Sequence, residues 1–60
     1  MKLKICGIRN QEMVNFCNEN KIDYAGFNFV PISRRKIKLN YAKFLIRKLK
    51  NTIPIALFMD

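Results

Sequence analysis

Leu3 and Ile5 alternate with Lys2, Lys4 and Cys6 at the start of the chain, the period-two pattern of a strand whose successive side chains face opposite sides. Gly7 follows and lets the backbone turn or another group come close. The pattern then changes period. Met13, Phe16, Cys17 and Asn20 recur at helical spacing, with Val14 widening the apolar stripe. Asn10 stands where a cap belongs, and Glu12 falls in the first turn, where a carboxylate complements the helix dipole. The polar run Asn18-Glu19-Asn20-Lys21 closes the helix without a glycine. From Ile22 to Val30 the chain is apolar and aromatic apart from Asp23 and Asn28, which predicts a strand buried on both faces. Pro31 ends it. The loop Pro31 to Lys36 is basic, and a second helix is expected over about 40–50, with Tyr41, Phe44, Leu45 and Leu49 inward and Lys43, Arg47 and Lys50 outward. Asn51 to Pro54 breaks it, and Ile55 to Met59 reads as a third strand ending at Asp60.

The order is therefore β-α-β-α-β with short connections, which implies an α/β fold with a parallel sheet and right-handed crossovers. Two helices are too few to cover both faces of such a sheet. At 60 residues, a chain buries only about 60% of its unfolded surface. The expectation is one unit, residues 1–60, that forms part of a larger domain.

Charge and cysteine content narrow the function classes. The 12 Lys+Arg against 4 Asp+Glu give +8, which brings a small basic nucleic-acid-binding module into view through Lys43, Arg47, Lys50 and the 33–38 loop. The basic residues are spread over strands, loop and helix, and no helix-turn-helix, zinc or RNA-recognition pattern accompanies them. Two cysteines and no histidine argue against a zinc site. Met-Lys-Leu-Lys is not followed by a signal-peptide core, and no apolar run approaches the ~18–20 residues that cross a bilayer. A cytoplasmic location is expected, with no nucleic-acid or membrane partner.

Cys6 is the candidate for chemistry, at the C-terminal end of the first strand, where open α/β sheets and closed β/α barrels keep their sites. A cysteine ending an apolar strand is more often only a small buried hydrophobe. Cys17, on the first helix, reads as core. Arg34 and Arg35 read from composition as a solvated basic turn.

Four blocks then point to a family. Lys4-Ile5-Cys6-Gly7-Ile8-Arg9, Asp23-Tyr24-Ala25-Gly26-Phe27-Asn28-Phe29, Pro31-Ile32-Ser33-Arg34-Arg35 and Ile55-Ala56-Leu57-Phe58-Met59 resemble, in order and spacing, the N-terminal portion of phosphoribosylanthranilate isomerase. The resemblance implies the first three strands and two helices of a (β/α)₈ TIM barrel, a fold of about 250 residues. It implies an Amadori rearrangement of N-(5′-phosphoribosyl)anthranilate, a step of tryptophan biosynthesis, with no cofactor and a small-molecule substrate. In that family a general acid opens the ribose ring to a Schiff base and a general base removes the proton at C2. Cys6 matches the base, and Arg35 matches the residue that pairs with the anthranilate carboxylate, a task suited to the guanidinium fork.

A free thiol titrates near about 8.5, so a cysteine base needs a cation beside it, and Lys4 stands two residues earlier on the same face. Lys38 replaces a serine that commonly caps the second helix in the family, leaving Asn40 as the expected cap. The family's acid is an aspartate on a later strand and its phosphate grip lies near the end of the barrel, both beyond Asp60. Residues 1–60 alone are therefore expected to be inactive, and a complementary C-terminal barrel fragment is a conceivable partner.

Overall fold

A computed structural model describes residues 1–34 and 36–58. The element order is β1 (Lys4–Ile5), α1 (Gln11–Glu19), β2 (Tyr24–Asn28), α2 (Leu39–Ile46) and β3 (Ile53–Leu57). The strands form one parallel sheet in the order β1-β2-β3, with Lys4 opposite Tyr24 and Gly26 opposite Ile55. This is the β-α-β-α-β architecture that the periodicity predicts.

The N-terminal ends of the strands are tied by polar groups. The Leu3 amide donates to Asp23 Oδ2 at 2.7 Å, and the buried Thr52 hydroxyl donates to the Ile22 carbonyl at 2.7 Å. Asp23 is thereby drawn out of β2, which is shorter than the expected 22–30. At the other end Asn28 closes the strand, because its side-chain oxygen accepts from the Val30 amide at 2.8 Å and turns the chain. Ala25, Gly26 and Phe27 between these ends are buried, as expected of a central strand.

α1 starts as its sequence predicts. Asn10 has extended backbone angles and its side-chain oxygen accepts from the Met13 amide at 2.9 Å. Its end needs no glycine, since Lys21 takes the left-handed conformation (φ 51°) and the Ile22 amide donates to the Cys17 carbonyl at 3.0 Å. Val14 and Cys17 are buried, whereas Phe16 is half exposed.

α2 departs from expectation in extent, face and cap. It ends at Ile46 rather than Lys50, and the Arg47 amide already bonds within the last turn. Its N-cap is Lys38, with no side-chain bond to the helix, and Asn40 lies inside the helix. Ala42 and Leu45 are the buried residues, with Ile46 and Leu49 packed against the core. Tyr41 and Phe44 lie on the surface instead, stacked 6.3 Å apart, with the Lys48 ammonium 5.1 Å from the Phe44 ring. The inward face is thus centred on Ala42 and Leu45, which leaves the two aromatics outside it.

β3 begins two residues before its expected start and includes Pro54. The Ile53 amide donates to the Asp23 carbonyl, and the Leu57 carbonyl accepts from the Phe29 amide, both at 2.9 Å. Residues 53 and 57 thus face β2, and by alternation Pro54 faces away, where its missing N–H breaks no bond to β2. All five residues of β3 are exposed, although the strand is apolar. Met59 and Asp60, the expected end of this strand, lie outside the described residues.

The core lies between the helices and one face of the sheet, built on Ile8, Val14, Cys17, Ala25, Phe27 and Leu45, each at most 1% exposed. Burying a side chain the size of Phe27 or Leu45 contributes about 1.5–3 kcal/mol. Among the described residues, no helix lies against the other face of the sheet.

Candidate active site

Cys6 and Lys4, which the sequence singles out, lie on that uncovered face, Cys6 just past the C-terminal end of β1. Register and alternation place Lys4 and Cys6, then Gly26 and Asn28, then Ile55 and Leu57 on one side of three adjacent strands. They line a cavity of about 200 Å³, shared with Gly7 and Phe27.

Cys6 is exposed while Cys17 is buried. Cys17 is core as expected, and burial pushes its thiol up from the ordinary value; Cys6 departs from the buried fate more usual for a cysteine that ends an apolar strand. Two glycines shape the surroundings of Cys6. Gly7 has φ 75°, left-handed backbone that a side chain would strain. It turns the chain so that the Ile8 amide reaches the Gly26 carbonyl at 2.9 Å, with Ile8 fully buried. At Gly26, an added Cβ would lie 3.4 Å from Cys6 Cα and 3.7 Å from Cys6 Sγ. That is ordinary contact, so a methyl group would fit, but it would occupy the space beside the thiol. Lys4 shares the cavity with Cys6, on the same face as expected.

The loop after β2 is folded back against the end of that strand. The Asn28 side-chain amide donates to Ser33 Oγ at 3.0 Å, and the Ile37 amide donates to the Asn28 carbonyl at 2.9 Å. Lys36 forms a parallel bridge with Asn28. From the first loop, Arg9 Nη1 donates to the Arg34 carbonyl at 2.7 Å. Arg35 lies outside the described residues, so Cys6 alone of the two predicted site residues is placed by the geometry.

Two organising residues were missed by sequence reasoning. Asn28 looks like one polar interruption of an apolar strand, yet it supports the whole loop. An asparagine three residues before Pro31 is the signal that points to it, through the preference of Asn for side-chain-closed turns. Gly26 is recognisable only from its place opposite Cys6, which requires the register.

A parallel sheet with helices on one face and a thiol-lined cavity at the strand ends on the other defines a segment of a β/α barrel. A crystal structure of the phosphoribosylanthranilate isomerase from Thermus thermophilus superposes on the chain with a TM-score of 0.93 and 30% identity, covering 100% of this chain and 30% of that one. The N-(5′-phosphoribosyl)anthranilate isomerase of Leptospira borgpetersenii serovar Hardjo-bovis (strain JB197) is 48% identical over 59 residues, 93% of this chain and 27% of the relative. That of Clostridium kluyveri (strain ATCC 8527) is 39% identical over 61 aligned positions, 100% of this chain and 30% of the relative. No protein-family model matches. Over the length it spans, the chain matches the N-terminal portion of phosphoribosylanthranilate isomerase, and it corresponds to less than a third of those relatives' length. The fold it matches is the TIM barrel, and its relatives are isomerases by name. Nothing in the fold or in these matches favours the nucleic-acid module. Among the described residues no helix is long and apolar enough to cross a membrane.

Proposed function

We propose that residues 1–60 supply the general base and the carboxylate partner of a phosphoribosylanthranilate isomerase whose other catalytic groups come from later strands. In this reading an acid from a later strand protonates the ribose ring oxygen, and the C1–O bond breaks to leave a protonated Schiff base. The Cys6 thiolate then takes the proton from C2, and the C2–H electron pair moves toward C1 and neutralises the iminium nitrogen. The resulting enolamine becomes the 1-deoxyribulose 5-phosphate product. Arg35 pairs with the anthranilate carboxylate and sets the sugar's C2 within reach of the thiol. Lys4 stands on the same face as Cys6, in the same cavity. The acting protein is cytoplasmic, takes a small-molecule substrate, and needs the remaining strands, on the same chain or as a separate partner.

The observation that carries the reading is Cys6, exposed at the C-terminal end of β1 in one cavity with Lys4 and Asn28. Residues 1–60 alone hold a base without its acid, so no turnover is expected from them. The test joins the chain to the remaining strands of the Leptospira borgpetersenii relative and compares it with its Cys6→Ala variant. Loss of a base should lower kcat by about 10²–10⁴. Turnover that survives the substitution would remove Cys6 from the mechanism, and turnover by the 60 residues alone would overturn the assignment of the acid to later strands.

A further inference from the structure

We infer that Lys4 touches the substrate of the same reaction: its ammonium donates a hydrogen bond to the oxygen on the sugar's C2 while Cys6 takes the proton from that carbon. The inference rests on the proposal that Cys6 is the base.

Among the described residues, Lys4, Cys6 and Asn28 are the polar side chains that line the cavity on the open face. Asn28 is committed within the protein, its amide nitrogen donating to Ser33 Oγ at 3.0 Å and its oxygen accepting from the Val30 amide at 2.8 Å. Cys6 is assigned the proton transfer. Lys4 is exposed, with no hydrogen-bond or ion-pair partner among the described residues. Lys2, the other lysine on this face, differs: its Nζ lies 5.8 Å from the centre of the Tyr24 ring, and it does not line the cavity. A small molecule that enters beside the thiol therefore meets one uncommitted side-chain donor, the Lys4 ammonium.

The spacing suits the task. Lys4 and Cys6 are two positions apart on β1, about 6.6 Å along the strand, and a four-carbon stem is long enough to bridge that gap. Two groups so placed address neighbouring atoms of one ligand, and the hydrogen and the oxygen in question sit on the same carbon. As the thiolate removes the C2 proton, C2 becomes planar, and its oxygen becomes first that of the enolamine and then the product's carbonyl. A donor held on that oxygen fixes rotation about C1–C2, so that the C2–H bond lines up with the iminium that receives its electrons. The ammonium keeps its own proton throughout. Ile55 and Leu57 supply an apolar wall to the same cavity, and a charged donor bonds more strongly against such a background than in water.

The test uses the joined barrel and two stable open-chain inhibitors. One is the amine in which the product's C2 carbonyl is reduced to a hydroxyl; the other carries CH2 at that carbon. The native barrel should bind the first more tightly by about ten- to a hundredfold, the scale of a hydrogen bond to a charged group. Lys4→Met should bring that preference close to one and lower kcat/KM by a similar factor. Lys4→Gln, which keeps a neutral donor, should retain part of both. A preference that survives Lys4→Met overturns the inference, and if the pH dependence of Cys6 alkylation moves at the same time, Lys4 acts on the thiol instead. Equal weakening of both inhibitors makes Lys4 a general structural residue and overturns it too. Cys6→Ala separates this from the reading beneath it. If Cys6→Ala abolishes turnover while the preference survives Lys4→Met, only the role of Lys4 falls. If turnover survives Cys6→Ala, the assignment of the base falls and the inference with it.

Discussion

Phe27 and Leu57 are large apolar side chains on neighbouring strands, yet Phe27 is 1% exposed and Leu57 55%. The register puts Leu57 opposite Asn28, so Phe27 and Leu57 point to opposite faces of the sheet. On Phe27's face α1 and α2 supply Val14, Cys17 and Leu45 to a closed core. On the other face Ile55 and Leu57 line one cavity with Cys6 and Lys4, and they and Ile53 are exposed. Hydrophobicity alone therefore does not assign burial here; the helices do, and they lie on one side. The chemistry-bearing side chains occupy the face that local packing leaves unclaimed.

The sharpest way to break this comparison is to truncate one residue on each face. Phe27→Ala should cost about 3–5 kcal/mol, a large share of what so small a unit can hold, and should abolish most far-ultraviolet circular dichroism. Leu57→Ala should leave that signal nearly unchanged. Similar losses from both would mean that the open face carries packing energy too. Because β1 and β3 each have an unpaired side, residues 1–60 alone should be poorly soluble or melt without cooperativity, and a sharp calorimetric transition would contradict that.

A smaller effect separates the two helices. Asn10→Ala removes a formed cap and should destabilise by about 1 kcal/mol. Lys38→Asp supplies a cap that α2 lacks and should stabilise by about 0.5–1 kcal/mol, read as opposite shifts of the helical signal in a urea titration.

The gentlest probe compares the two thiols. Cys6 should react with iodoacetamide well before Cys17 in the folded chain, with the order lost in urea, as peptide mapping would show. Burial raises the Cys17 thiol above its ordinary value, so the protonated side chain's contribution is complete below that ordinary value and declines as pH rises through the folded-state value. Cys17→Ala should remove this part of any alkaline loss of structure.

The element order, the cap at Asn10, the turn at Gly7 and the burial of Cys17 were legible in the sequence, because each depends on near neighbours and on period. What was not legible depends on contacts distant along the chain. The inward face of α2 is set by the packing of Ala42 and Leu45 into the core, and periodicity offered Tyr41 and Phe44 equally well. The start of β3 was obscured by Pro54, which reads as a breaker until it is known which side of the strand its nitrogen faces. Of the site, Cys6 was visible in a short motif, whereas the support from Asn28 and the reach of Arg9 to Arg34 exist only once two loops meet.

Pro54 carries one more consequence, for whatever comes to lie along the outside of β3. Of the five residues of that strand, alternation turns 54 and 56 outward, and the proline leaves Ala56 as the amide donor on that margin. A newcomer whose carbonyl meets Ala56 is satisfied. A buried carbonyl that faces Pro54 is left unmet, at about 1–3 kcal/mol. The proline thus shortens by one bond the ladder that any neighbour can form along that margin.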